Sequence, residues 1–234
     1  MEVERHPPRE PRMPLPPPSS RDKILDVAEA LFAQRGFSGV GLREVAQQVG
    51  LGKSSLFHHF ATKLVLYDEV LARVLARVEA PLATALSPAE PGPRALGPVE
   101  RLDRWVDALI DALAEHPTTA RLALRSLFEE ENAQHSEAAH EPAWAATLAR
   151  LVGGFQRLLA DGIEAGAFRR VSVGHLTQTV IGATVYHFAS STFGEEVTGA
   201  SLFSAAQVAR RKVEVKSLLR SGVLQPEPTR IAPE

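Results

Sequence analysis

The chain has 234 residues, 44% of them hydrophobic, and a formal net charge of -2, enough for one large domain or two small ones around a substantial core. No apolar run approaches the ~20 residues of a membrane-spanning helix, and no apolar segment follows the N-terminal arginines, which reads against a membrane or secretory segment. The absence of cysteine excludes disulfides and thiolate metal sites and fits a reducing cytoplasm.

In chain order, residues 1–18 hold seven prolines and no periodic apolar pattern, so 1–20 is expected to be a disordered tail. Ser20 reads as an N-cap with Asp22 in the first turn. Ile24, Ala28, Leu31 and Phe32 follow at helical spacing, and Gly36 supplies a stop. A short helix over Leu42–Val49, a tight turn at Gly50-Leu51-Gly52 and a second short helix over Lys53–Phe60 come next. A long helix runs over about 62–86 and ends in the proline- and glycine-rich SPAEPGPRALGP (87–98). Val99, Leu102, Val106, Leu109 and Leu113 begin a new helix, which His116-Pro117 breaks. A shorter helix with Leu124, Leu127 and Phe128 follows, then a polar loop (133–141). Pro142 opens a helix whose apolar face includes Trp144, Leu148, Leu151, Phe155, Leu158, Leu159 and Ile163, and Gly166 ends it. Gly153-Gly154 inside it suggests close packing or a kink. Two more helices are expected at about 173–192 and 204–221, before a proline-rich tail from 223. No segment sustains period-two alternation, so the chain reads as all-α with about nine helices.

Charge is unevenly spread. Residues 21–66 carry six Lys/Arg against four acids, 1–20 balance, and the remainder holds -4. A locally basic module on an acidic body hints at a polyanion partner. Three readings compete for VGLGKSSLFHHF (49–60). A phosphate-binding loop needs glycine at position 47 and a preceding strand, but Gln47 stands there and the preceding segment has helical spacing. A metal site fails because adjacent helical residues such as His58 and His59 project ~100° apart, with no third ligand nearby. A helix-turn-helix remains: Ala46 allows a close crossing, Gly50 allows a positive φ, and Val45, Val49, Leu51, Leu56 and Phe60 point inward. The outer face of the second helix then presents Lys53, Ser54, Ser55, His58 and His59, which suit base edges and phosphates in a major groove.

The stretch ILDVAEALFAQRGF…LREVAQQVGLGKSSLFHHFATK resembles the N-terminal domain of the TetR family of bacterial transcriptional regulators, over roughly residues 21–75. The resemblance implies a three-helix DNA-binding domain, a larger helical effector-binding and dimerisation domain, and a homodimer on a palindromic operator in double-stranded DNA. Three departures stand out. Gly41 replaces the family's usual Thr or Ser cap, Phe57 replaces a frequent tyrosine, and Thr62 caps the next helix without a capping box.

The DNA-contacting set expected on these grounds is Arg43, Lys53, Ser54, Ser55, Phe57, His58, His59 and Lys63. Phe57 and Phe60 read first as core, with the edge of Phe57 able to touch the sugar backbone. Lys63, at the start of the long helix, and Arg43 suit phosphates. An effector pocket is sought among Trp105, Leu109, Arg125, Phe128, Trp144, Phe155 and His187, although aromatic residues on a helix stripe are ordinarily core. The apolar stripes of the last two helices (Val173, Leu176, Val180, Ile181, Thr184, Phe188; Val208, Val215, Leu218, Leu219) are where the family pairs its subunits.

The expected organisation is therefore 21–66 for DNA and 67–222 for the effector and dimerisation. The expected function is a repressor released by a small-molecule effector, cytoplasmic and nucleoid-associated, with no cofactor, metal or membrane partner. An architectural DNA binder without an effector is the alternative. A helical enzyme would need a nucleophile–base pair or nucleotide loop, which the sequence does not display.

Overall fold

The computed structural model describes residues 19–87, 96–133 and 142–224, with side chains at 128–133 and 143 left aside. The proline-rich tail, most of the 87–98 and 133–141 loops and the C-terminal tail fall outside the described residues. Ten helices occur within them: α1 (Ser20–Arg35), α2 (Leu42–Val49), α3 (Lys53–His59), α4 (Lys63–Leu86), α5 (Pro98–Glu115), α6 (Pro117–Ala133), α7 (Ala143–Glu164), α8 (Val173–Ala189), α9 (Thr192–Thr198) and α10 (Ala205–Val223). The only β feature among them is one antiparallel bridge between Phe168 and Leu224. The fold is all-α, as the periodicity implies.

Helix α1 begins one residue earlier than its sequence signal. Ser19 is the N-cap, accepting from the Asp22 amide, while Asp22 accepts in return from the Ser19 amide and hydroxyl. That reciprocal box satisfies amides that a helix start would otherwise leave open. Gly50 ends α2 at φ 74, ψ 26, a left-handed turn that a β-carbon resists. Gly41 caps α2 without a side-chain hydrogen bond, whereas the Thr62 hydroxyl accepts from the Val65 amide at the head of α4.

Helix α4 runs through two cores. The first gathers Ile24, Ala28 and Phe32 of α1, Val45 and Ala46 of α2, Leu56 and Phe60 around α3, and α4 as far as Leu75; Leu122 of α6 and Trp144 of α7 close it. The second starts at Val78 and collects α5, the body of α7, α8 and α10. A rigid helix shared between two cores lets a shift in either one reach the other.

Helix α10 lies along α5 through a ladder at four-residue spacing on each helix: Lys212 with Asp111 at 2.6 Å, Lys216 with Asp107 at 2.8 Å, and Arg220 with Asp103. At Gly154 an added Cβ would stand 2.8 Å from Leu86 Cδ1, and α7 passes through both glycines without interruption. Close packing, not a break, explains Gly154. The expected 173–192 helix ends instead at Ala189, because Ser191 turns the chain at φ 50 before α9 starts. Gly194 then lets α9 approach the Ser190 hydroxyl and Leu202, which an added Cβ would meet at 2.4 and 2.6 Å.

Candidate nucleic-acid interface and the adjoining cavity

Leu56 and Phe60 are fully buried, so the geometry of α3 directs its remaining side chains outward. Lys53, Ser54, Ser55 and His58 are exposed and His59 is half-buried. The two histidine rings meet edge-to-face at 5.8 Å, and no cluster of metal-ligating residues occurs among the described residues. Phe57 departs from the core reading: it is 38% exposed and carries the Lys53 ammonium 5.3 Å from its ring centre. One helical turn separates the two side chains, which brings cation and ring together on the outer face.

The cations around α3 are differently committed. Arg43 is exposed, whereas Arg35 pairs with Glu44 at 2.6 Å. Lys63 donates to the Val40 carbonyl at 3.1 Å and sits 4.3 Å from the Phe37 ring centre. It therefore anchors the head of α4 to the α1–α2 connection.

Behind this face lies a buried polar junction that the sequence reading did not single out. Glu29 of α1 is 6% exposed and accepts from Arg73 at 2.7 Å, Arg77 at 2.8 Å and the Thr118 hydroxyl at 2.6 Å. Burial pushes its carboxyl up, but hydrogen bonds from Arg77, Thr118 and Arg73 outweigh that and hold it below the ordinary value. Arg73 also meets Asp26 at 2.8 Å. Three elements, α1, α4 and the first turn of α6, thus converge on one carboxylate. A second link joins Arg125 to the Gln34 carbonyl at 3.3 Å. Glutamate among apolar neighbours in α1, with arginines four residues apart in α4, is the only sequence signal for this junction.

A cavity of about 430 Å³ opens between α4, α5, α6, α7 and α8. Trp105 and Leu109 line it, together with Leu82, Leu148, Leu151 and Ile181. Four other expected pocket residues are placed elsewhere. Phe155 stacks on Trp105 at 4.0 Å from the second core. Trp144 belongs to the first core and donates its indole N–H to Asp68 at 3.3 Å. Arg125 turns to Gln34, and His187 packs edge-on to Phe188 at 4.9 Å. The Phe128 side chain lies outside those described. Burial, then the nearby Arg211 charge, lowers the pKa of His187 to about 4, and its Nε2 has no hydrogen-bond partner among the described residues.

A family model described as "Bacterial regulatory proteins, tetR family" matches residues 24–70, and one described as "Tetracyclin repressor-like, C-terminal domain" matches residues 98–218. The chain belongs to the TetR family. Among curated relatives, this TetR-family chain is 38% identical over 84 residues to the HTH-type transcriptional repressor KstR2 of Mycolicibacterium smegmatis, covering 34% of this chain and 41% of that protein. It is 32% identical over 98 residues to KstR2 of Mycobacterium tuberculosis, covering 42% and 46%. The matches thus span less than half the length of these relatives. Among solved structures, the ketosteroid transcriptional regulator KstR2 of Mycobacterium tuberculosis superposes with a TM-score of 0.66 at 22% identity, over 89% of this chain and 96% of that one. PfmR, a TetR-family regulator of Thermus thermophilus, gives 0.59 at 25% identity over 73% and 85%. These likenesses support the whole architecture, from the helix-turn-helix to the helices around the cavity. Among the described residues no helix is long and apolar enough to cross a membrane.

Proposed function

We propose that the protein is a transcriptional repressor that binds a palindromic operator as a homodimer and leaves it when a small molecule fills the cavity. Residues 21–66 read the operator, and 67–222 receive the effector and the second subunit. The observation that carries this reading is the junction at Glu29, which ties the α1 of the DNA-facing module to the α6 that borders the cavity. Lys53 and Arg43 supply phosphate contacts, and Ser54, Ser55 and His58 face base edges, with His59 and Phe57 on the backbone flank. Lys63 adds a contact from the start of α4. Relatives named as repressors support the negative sign of the regulation.

The effector acts through its higher affinity for the state that does not fit DNA. Thr119 borders the cavity and directly follows Thr118. A ligand that moves the first turn of α6 therefore pulls on Glu29, and through Arg73 and Arg77 on α4.

Dimerisation uses the exposed side of α8, α9 and α10, with Leu218 of the expected stripes on it and the inward-facing stripe residues left out. Val180, Thr184, Phe188, Val215 and Leu219 are buried within the protomer, while Tyr186, Phe193, Val197, Val213 and Leu218 stand 53–73% exposed on α8, α9 and α10. Exposed apolar side chains in such number favour a second copy of the chain. Sedimentation equilibrium, with and without a duplex from upstream of the chain's own gene, tests both points. Two protomers per duplex and preference over a shuffled duplex are expected; equal affinity for both sequences would instead indicate an architectural binder.

A further inference from the structure

We infer that the cavity selects an uncharged, mostly apolar molecule of roughly 17 non-hydrogen atoms bearing a carbonyl, hydroxyl or similar neutral polar group. The inference rests on the effector-site reading and gives that site its ligand chemistry. The size follows from the volume of about 430 Å³. A cavity of about 150 Å³ accommodates benzene, and proportion gives roughly 17 heavy atoms.

The charge follows from the wall. Among the described residues none that lines the cavity is ionisable. Arg125, the arginine among the residues where a pocket was sought, is turned to the Gln34 carbonyl. A carboxylate or phosphate placed here would lose its water without gaining a counter-charge, which costs several kcal/mol.

The polar requirement follows from what the wall leaves unsatisfied. Gln156 of α7 is half-buried, and Gln178 of α8 faces the opening; neither amide has a hydrogen-bond partner among the described residues. The Trp105 indole N–H and the Thr119 hydroxyl have no partner among the described residues either, but both atoms are buried behind the cavity surface. Ser126 and Thr177, by contrast, already donate to the Ala123 and Val173 carbonyls. The groups left open to the cavity are therefore neutral amides, whose N–H groups can donate to a ligand oxygen.

Entry is from the side of α8. Gly174, Gln178 and Gly182 stand at four-residue spacing on its exposed face, opposite Leu127, which is 56% exposed. An added Cβ at Gly174 or Gly182 meets nothing within 4 Å. The two glycines thus keep a mouth clear and do not serve a close helix crossing.

The experiment uses dodecan-2-one and dodecanoate as a matched neutral and anionic pair. Binding is read by tryptophan emission, since one of the chain's two tryptophans, Trp105, lines the cavity, and by the shift in Tm. The ketone is expected to bind saturably and at least about tenfold more tightly than the carboxylate. Gln156→Leu is expected to weaken the ketone by roughly fivefold, the loss of one hydrogen bond. Gly182→Leu, at the mouth, is expected to abolish saturation while its Tm without ligand stays level or rises. Binding of dodecanoate equal to or tighter than the ketone, or no saturable ketone binding up to about 1 mM, overturns the inference. So does ketone affinity untouched by both substitutions. Release of the operator duplex is measured separately, by anisotropy: selective ketone binding without release refutes the effector reading and leaves the pocket chemistry standing.

Discussion

Replacing Glu29 by glutamine (E29Q) preserves the shape of the side chain and removes the charge on which α1, α4 and α6 converge. Removing one partner of a buried ion pair ordinarily costs about 3–5 kcal/mol, because the other charge is stranded. Here the stranded guanidiniums are 22% and 27% exposed, and Arg73 keeps Asp26 at 2.8 Å. Water and Asp26 recover part of the loss, so the expected cost is about 2 kcal/mol. For a chain of this size that lowers Tm by about 4–8 °C. Urea denaturation should show a lower midpoint with an unchanged slope.

The pH dependence has a defined sign. The folded carboxyl titrates below its ordinary value of 4.5, so the unfolded chain takes up the proton first as pH falls. The stabilisation is complete above that value and is lost as pH drops through the folded one. The gap between wild type and E29Q should therefore close in acid. T118V removes one of the same hydrogen bonds at about 1.5 kcal/mol, and the double variant should cost less than the two singles together. A loss below about 0.5 kcal/mol for E29Q, typical of an unremarkable surface change, or a gap that does not narrow in acid, would refute the junction.

Other substitutions separate packing from function. In G162A the new Cβ would fall 2.1 Å from two ring carbons of the fully buried Phe168, so thermal melts should show a net loss of about 1–2 kcal/mol despite the better helix former. G182A meets open space and should gain about 0.5–1 kcal/mol. His187 titrates at about 4 when folded against an ordinary value of 6.5, so the unfolded chain binds the extra proton between those values. Stability should fall as pH drops from about 6.5 toward about 4, and H187Q should flatten that part of a urea-midpoint profile.

The DNA-facing module was largely legible because its determinants are local. Gly36 and Gly50 punctuate the helices, and the burial of Val45, Ala46, Leu56 and Phe60 follows from helical spacing. Where the local signal was ambiguous, the reading slipped: two adjacent serines stand at the start of α1, and the one whose hydroxyl reaches the Asp22 amide is Ser19. Phe57 read as core by hydrophobicity, yet its position on the outer face of α3 leaves it beside Lys53. The cavity was legible only in part, since its wall is assembled from five helices whose relative rotation is a tertiary property. Trp105 and Leu109 share the correct stripe of α5, whereas Trp144, on an equally apolar stripe, packs one turn ahead of the cavity-lining part of α7 into the first core. Gln156 and the α8 glycines carry no hydrophobic signal and went unnoticed. The Glu29 junction joins residues 44 to 89 positions apart, beyond the reach of any periodicity.

The most direct test of the account is a salt titration of duplex binding, using fluorescence anisotropy on DNA from upstream of the chain's own gene. The account predicts affinity that falls linearly with salt on logarithmic axes, with K53A reducing the slope by about 1 and weakening all sequences alike. No binding at low salt, or binding whose strength and slope ignore K53A and S55A, would contradict the assignment of α3 as the helix that reads DNA.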